Sequence, residues 1–289
     1  RALREQADAL LDALDDGVTV PTAGLDISRR EITSEPDGNT IHLAVVRPQV
    51  ERPLPCVYYI HGGGMASMSC FNGLYRIWGR RIAHRGIAVV MVDFRNCQVP
   101  SSVPEVAPYP AGLNDCVAGL KWTHAHAAEL GINADQIVIS GNSAGGHLSL
   151  MAAGTPDRPE FEGNGGNPGI ETHVSASIAF YPPTGLERRS WGGLPSLFGA
   201  GAAEDTLRTA SPLTYAREGF PPTLLIQGNA DDVVPAREAQ QMYDALHAVG
   251  VPVEMHMFAN QPHGFDADPR LGRECAEIMI SFLDRVLAR

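Results

Sequence analysis

Short apolar runs recur along most of the chain and alternate with segments of helical periodicity. The runs predict strands buried on both faces of a sheet, at 56–60, 88–93, 137–140, 174–181, 223–227 and 253–258. Apolar residues at helical spacing predict helices at 75–84, 113–129, 144–153, 236–249 and 271–287. The alternation of strands and helices predicts an α/β chain with one doubly wound, mostly parallel sheet.

The first part of the chain has a different pattern. Leucine and alanine at helical spacing predict a helix over 2–15, and the stretches 29–33 and 41–47 predict two strands. Glu35-Pro36-Asp37-Gly38 lies between these strands and favours a turn, so the pair is predicted to form a hairpin. Residues 182–220 make a long connection, which is typical of a lid or binding loop. We expect a single domain over 1–289.

Charge and composition exclude several classes of protein. The chain has 22 basic and 33 acidic residues among 289, for a net charge of −11. A nucleic-acid partner is not expected, because tracking phosphates requires a basic surface. A membrane span is not expected either, because no apolar run approaches the roughly 18 residues that a spanning helix needs. The acidic balance suits an enzyme of small, neutral molecules.

Five cysteines, at positions 56, 70, 97, 116 and 275, are widely spaced and form no CxxC pair. They indicate free thiols in a reducing compartment, and we expect a cytoplasmic location with no zinc site. The first residue is Arg1 rather than Met, so a signal peptide removed ahead of it stays open.

The strongest chemical motif is Gly-Asn-Ser-Ala-Gly-Gly at 141–146. It follows the predicted strand 137–140 and opens the next helix, which is the context of a nucleophile elbow. The tight turn projects the hydroxyl of Ser143, and glycines at 141 and 145 let strand and helix approach. The alternative is an ordinary glycine-rich helix cap.

A second motif, His61-Gly62-Gly63-Gly64, ends the predicted strand 56–60. Successive glycines leave backbone N–H groups free to point at one substrate oxygen, as an oxyanion hole requires. The loop lacks the spaced Lys and Ser/Thr of a phosphate-binding Walker loop. We expect His61 to be structural.

A serine nucleophile needs a base and an orienting carboxylate, which should follow Ser143 at the ends of later strands. Asp231 and Asp232 follow the predicted strand 223–227, and His263 follows 253–258. We choose Asp231, with Asp232 as the alternative. His256 is the nearest rival to His263 but lies inside its strand. No histidine or cysteine spacing predicts a metal site, and no cofactor is expected.

These motifs resemble the hormone-sensitive-lipase-like esterase branch of the α/β-hydrolase superfamily. The resemblance covers about 55–287 and implies the α/β-hydrolase fold with a small cap, formed by the N-terminal helix within 1–25 with help from 182–220. It also implies Ser143 as nucleophile, Asp231 as acid, His263 as base, and an oxyanion hole from the N–H groups of Gly63, Gly64 and Ala144. The acid loop, Asp231 to Pro235, instead resembles dienelactone-hydrolase-like and acetylxylan-esterase-like relatives.

The expected function is a serine carboxylic ester hydrolase that acts on short-chain esters through an acyl-enzyme. An amidase, formamidase or small peptidase with the same triad is the alternative, and a catalytically silent binding protein on this fold is a third. Apolar residues such as Leu10, Leu194, Leu197 and Phe198 would suit a short acyl group. A small-molecule ester is the expected partner. If strand 253–258 is an exposed edge of the sheet, we expect it to pair with its copy in a homodimer.

Overall fold

The computed structural model describes residues 20–34, 38–156, 158–162, 166–188 and 194–287. Within these ranges, eight strands form one sheet in the order β1-β2-β4-β3-β5-β6-β7-β8. The strands are β1 (Leu25–Thr33), β2 (Thr40–Pro48), β3 (Leu54–Ile60), β4 (Ala88–Asp93), β5 (Ile132–Asn142), β6 (Ala176–Phe180), β7 (Thr223–Gly228) and β8 (Val253–Phe258). Strands β3 to β8 pair in parallel, which confirms the predicted sheet.

The hairpin at the start of the sheet is also confirmed. β1 pairs with β2 in an antiparallel register that runs from Leu25 opposite Pro48 to Thr33 opposite Thr40. β2 then pairs with β4 in the antiparallel sense. β5 starts earlier than predicted, at Ile132, because its first residues extend beside Leu54 of β3.

Helices cover both faces of the sheet, as a doubly wound fold requires. They are α1 (Gly73–Ala83), α2 (Ala111–Ala125), α3 (Ala127–Leu130), α4 (Ala144–Gly154), α5 (Pro159–Glu162), α6 (Leu194–Phe198), α7 (Glu204–Thr209), α8 (Arg237–Ala248) and α9 (Pro269–Val286). The predicted helix 113–129 is interrupted at His126, which separates α2 from α3. α2, α4 and α8 pack on one apolar core, and α1 and α9 pack on the other.

The long connection predicted at 182–220 is only partly irregular. Its described residues include α6, α7 and two short 3-10 turns, Leu186–Arg188 and Pro212–Tyr215. The hydroxyl of Tyr215 donates to the carbonyl of Thr209, so this segment is internally bonded. The predicted N-terminal helix, 2–15, lies outside the described residues. The division into one domain with a cap therefore stays a prediction.

None of the described helices combines the length and apolar character that crossing a bilayer requires.

Candidate active site

Ser143 stands at the junction between β5 and α4, with a strained backbone. Its φ of 54° and ψ of −117° lie in a region that side-chain-bearing residues seldom adopt. The turn is held from both sides, because the Ser143 N–H donates to the Phe180 carbonyl at 2.9 Å and the His147 N–H donates to the Ser143 carbonyl at 2.9 Å. The side chain is thereby presented at the N-terminus of α4, where the helix dipole favours negative charge.

Glycine is required beside Ser143 because three backbone segments meet there. A Cβ at Gly145 would lie 2.0 Å from the Ile60 carbonyl oxygen, and one at Gly141 would lie 2.5 Å from the same atom. That carbonyl oxygen cannot move without displacing β3. The spacing of the two glycines thus lets the elbow pack against the end of β3.

His263 and Asp231 complete a chain of hydrogen bonds with Ser143. His263 Nε2 lies 2.9 Å from Ser143 Oγ, and His263 Nδ1 lies 2.7 Å from Asp231 Oδ2. Each residue follows the carboxyl end of a parallel strand: Ser143 comes immediately after β5, Asp231 lies in the loop after β7 and His263 lies in the loop after β8. The structure therefore brings together the three residues that the sequence nominated, in the geometry of a nucleophile, a base and an orienting acid.

Asp231, rather than Asp232, faces the imidazole. Its second oxygen, Oδ1, accepts the N–H groups of Val233 at 2.9 Å and Val234 at 2.7 Å, whereas Asp232 is exposed to solvent. Burial alone would raise the pKa of Asp231, but the hydrogen bonds from His263 and Val234 outweigh it and hold that pKa below its usual range. The carboxyl group is thus kept ionised beside His263.

The acid loop and the histidine loop are locked to each other. The Ala230 N–H donates to the Gln261 carbonyl at 3.1 Å, and the Asn260 N–H donates to Asn229 Oδ1 at 2.6 Å. A Cβ at Gly228 would lie 2.2 Å from the Gln261 carbonyl oxygen, so the two loops can approach this closely only with glycine there. This contact fixes the distance between Asp231 and His263.

The glycine loop after β3 lies directly beside Ser143. A Cβ at Gly62 would stand 3.6 Å from Ser143 Cβ, and Gly63 and Gly64 adopt φ of 103° and 66°. The N–H groups of Gly63, Gly64 and Ala144 donate to no other residue in the described ranges. They are therefore available to an oxyanion next to Ser143, and their role as the oxyanion hole stays a prediction.

A small apolar cavity borders Ser143. Its walls are Met65, Pro183, Leu186, Val233 and Val234, with Gly64 and Ala144 beside the nucleophile. No sequence pattern pointed to these wall residues, and the described apolar residues expected at the pocket lie elsewhere. Leu194, Leu197 and Phe198 do not line this cavity, and Leu10 lies outside the described residues.

The remaining histidines near the site do not compete for the role of base. His61 is buried, and its Nδ1 lies 2.8 Å from the Gly62 carbonyl oxygen, in agreement with the predicted structural role. His147 Nδ1 lies 3.0 Å from the Pro183 carbonyl oxygen, and His256 pairs with Glu254 on β8. In the described part of the chain, no group of three or more His, Cys, Asp or Glu side chains could hold a metal ion.

Comparison with known proteins gives a consistent picture. The BD-FAE family model matches residues 43–246. The carboxylesterase NlhH of Mycobacterium tuberculosis is 30% identical over 244 residues, which cover 75% of this chain and 68% of NlhH. The probable carboxylic ester hydrolase LipM of the same organism is 32% identical over 226 residues, or 73% of this chain. Because those residues are 49% of LipM, the chain spans about half the length of that relative.

Solved structures agree with these relatives. Esterase Est22 is 37% identical, with a TM-score of 0.83, and the match covers 98% of this chain and 86% of Est22. Another Est22 structure contains p-nitrophenol. One relative has a different chemistry: dipeptidyl aminopeptidase BIII of Pseudoxanthomonas mexicana is 28% identical over 83% of this chain, which is 34% of that peptidase.

Proposed function

Because the chain belongs to the BD-FAE family and its relatives include carboxylesterases, we propose that it is a serine carboxylic ester hydrolase. The observation that carries the proposal is the position of His263, 2.9 Å from Ser143 Oγ and 2.7 Å from Asp231. Acyl transfer needs a base that contacts both a serine and a carboxylate, and His263 contacts a strained serine and a buried carboxylate.

In the first half of the reaction, Ser143 Oγ attacks the ester carbonyl carbon while His263 Nε2 takes the hydroxyl proton. The carbonyl oxygen gains the negative charge, and the N–H groups of Gly63, Gly64 and Ala144 donate to it. One such donor typically lowers the barrier by about 3–4 kcal/mol. His263 then returns the proton to the leaving alcohol, which departs and leaves the acyl group on Ser143.

In the second half, His263 removes a proton from water and the resulting hydroxide attacks the acyl-enzyme. The carboxylic acid leaves as Ser143 recovers its proton. Asp231 stays ionised throughout, because it holds the Nδ1 proton of His263 in place and stabilises the imidazolium that forms in each half.

The cavity beside Ser143 supports a short acyl group. Its walls, Met65, Pro183, Leu186, Val233 and Val234, are apolar, and they offer no charged partner to a charged acyl chain. We propose that acetyl to butyryl esters bind with the acyl chain against these walls. Longer chains would extend past Val233, a wall residue that is half exposed to solvent.

The test is hydrolysis of p-nitrophenyl esters from acetate to laurate by the wild type and by Ser143→Ala. We expect the rate to peak at short chains and to fall by several orders of magnitude in the variant, with folding unchanged. Ser281→Ala, which removes an exposed hydroxyl on α9, is the matched control and should retain full activity. Ester cleavage by Ser143→Ala at the wild-type rate would remove the proposal.

Amide substrates are the second candidate, because the relatives include a dipeptidyl aminopeptidase. The p-nitroanilide with the same acyl group separates the two activities, since an amine leaving group needs stronger protonation by His263. Cleavage of the anilide at a rate comparable to the ester would favour the amidase. A folded wild type that cleaves neither would favour the silent binding protein.

Two further expectations stay proposals. A reducing, cytoplasmic location is supported by five cysteines that are all free thiols. A homodimer is supported by the position of β8 at the edge of the sheet, where its outer backbone groups could pair with a second copy. Native mass measurement tests the dimer, and a monomer would remove it.

A further inference from the structure

A second carboxylate, Asp266, lies buried three residues after His263. Its side chain accepts a hydrogen bond from Trp78 Nε1 at 2.7 Å, one from Asn142 Nδ2 at 2.9 Å, and one from the hydroxyl of Tyr181. All three partners are donors, so the carboxyl group needs no proton of its own and is arranged as an anion. Asp231 is the acid of the proposed triad, which leaves Asp266 without a role there.

Holding a charge at this position is costly. Asp266 is 1% exposed, and burial raises its pKa. The cation that lies close enough to interact with it is Arg81, whose guanidinium packs over the Trp78 ring at 5.1 Å. Within the described ranges, Arg81 Nε and Nη1 have no hydrogen-bond partner. The hydrogen bonds of Asp266 are therefore made to Trp78, Asn142 and Tyr181 rather than to the nearby cation.

One arm of this arrangement reaches the nucleophile. Asn142 is the residue immediately before Ser143, and its amide is bonded on both sides. Its oxygen accepts from the Tyr59 hydroxyl at 2.6 Å, and its nitrogen donates to Asp266 at 2.9 Å and to the Tyr181 hydroxyl at 3.1 Å. Asp266 therefore fixes the side chain that adjoins the strained turn at Ser143.

The other arm reaches the base. The Tyr181 ring meets the His263 ring edge to face, with centroids 4.5 Å apart. Tyr181 has a φ of 36°, and its hydroxyl accepts from Asn142 and donates to Asp266. Because Asp266 accepts the hydrogen bond from the Tyr181 hydroxyl, it fixes the Tyr181 ring against which the imidazole packs.

We propose that Asp266 is a positioning residue: one buried carboxylate that fixes Asn142 behind Ser143 and Tyr181 against His263, and so sets the distance between nucleophile and base. The inference rests on the proposed function of the triad. It predicts that loss of Asp266 reduces turnover of enzyme that is folded and still has a reactive serine. Substrate binding in the cavity should be unchanged, because Asp266 does not line it.

The test compares Asp266→Asn with Asp268→Asn, a matched loss of one charge in the same loop. Asp268 is exposed and caps α9 by accepting the N–H groups of Arg270 and Leu271, a role that asparagine also fills. Titration with paraoxon counts reactive serines, since each phosphorylation releases one p-nitrophenolate. The measured quantities are kcat per titrated serine and KM for p-nitrophenyl acetate.

We expect Asp266→Asn to lower kcat by about tenfold to a hundredfold, with KM changed by less than about threefold, because small misplacements of reacting groups have effects of this size. Asp268→Asn should match the wild type in both quantities. A merely structural role would instead lower the unfolding temperature of Asp266→Asn and leave its kcat per titrated serine unchanged. That result would overturn the inference.

Tyr181→Phe keeps the test decisive if Asp266→Asn does not fold. It retains the ring against His263 and removes only the hydroxyl that donates to Asp266. We expect kcat to fall by about threefold or more, and a folded variant with wild-type kcat would overturn the inference. If both single variants fold, the double variant should lose less than the product of their losses, since both break one network.

Different results would remove the proposed function and the role of Asp266. A wild type that cleaves no ester removes the esterase proposal, whatever the variants do. A wild type that is active, together with unchanged kcat in folded Asp266→Asn, removes only the role of Asp266.

Discussion

Asp231→Asn replaces one carboxylate oxygen by an amide nitrogen at the position that touches His263. Asp231 Oδ2 lies 2.7 Å from His263 Nδ1, and Oδ1 accepts the N–H groups of Val233 and Val234. If asparagine keeps its oxygen toward the two backbone N–H groups, its NH₂ points at His263 Nδ1. His263 Nδ1 must then accept a hydrogen bond from this NH₂ group, so the imidazole proton moves from Nδ1 to Nε2.

The consequence falls on the proton transfer from Ser143. With a proton on Nε2, His263 can no longer accept the hydroxyl proton across the 2.9 Å contact, and general-base catalysis is lost. Loss of the orienting carboxylate in a serine triad lowers kcat by about 10⁴. We expect a loss of about 10³ to 10⁴ here, which corresponds to about 4–5.5 kcal/mol in the barrier. In the other orientation of the asparagine amide, the oxygen faces His263 Nδ1 and the imidazole keeps its tautomer. The hydrogen bonds from the N–H groups of Val233 and Val234 are then lost.

The assay is kcat for p-nitrophenyl acetate, measured beside Asp232→Asn as the matched control. Asp232 is exposed and one residue away, so its variant should keep wild-type turnover. Circular dichroism checks that both variants fold. Strong loss in Asp232→Asn with near wild-type turnover in Asp231→Asn would refute the assignment of the acid.

Three further outcomes follow from the same contacts. Leu186→Ala should move the preferred p-nitrophenyl ester to a longer acyl chain, because it removes a wall of the cavity beside the nucleophile; an unchanged chain-length profile would contradict that role. Gly145→Ala should destabilise the fold, because its Cβ would lie 2.0 Å from the Ile60 carbonyl oxygen. Thermal unfolding measures this, and a wild-type unfolding temperature would contradict it. The pKa of Asp231 is held below its ordinary value of 3.8, against the effect of burial, by the hydrogen bond from His263. Its contribution to stability is therefore present above pH 4 or so and is lost as the pH falls through the folded pKa; the stability gap between wild type and Asp231→Asn should narrow over that range in urea titrations.

The three residues of the proposed triad could be nominated from the sequence because each lies at or shortly after the end of a strand. Buried parallel strands give unmistakable apolar runs, and their carboxyl ends meet at one edge of the sheet. In a sheet with this strand order, the loops that carry Ser143, Asp231 and His263 therefore lie close together. The motifs around Ser143 and Gly63 could also be recognised, because the spacing of their glycines indicates the local backbone geometry.

The choice between Asp231 and Asp232 was open in the sequence, since two adjacent carboxylates in a turn have the same pattern. The structure decides it because the turn directs Oδ1 of Asp231 onto two backbone N–H groups and Oδ2 onto His263. The cavity walls were missed for a related reason. Pro183 and Leu186 come from one connection and Val233 from another, and no periodicity links them.

The sequence by itself determined the sheet, most of its helices and the choice of Ser143 and His263 as the proposed nucleophile and base, because these depend on periodicity and on short motifs. Only the tertiary structure decided which side chains meet across the core. Trp78 and Asp266 are 188 residues apart and hydrogen-bonded, and Asn142 joins the same carboxylate from a third element. Such contacts depend on packing between distant elements, and a buried carboxylate in a sequence carries no mark of the partners that will surround it.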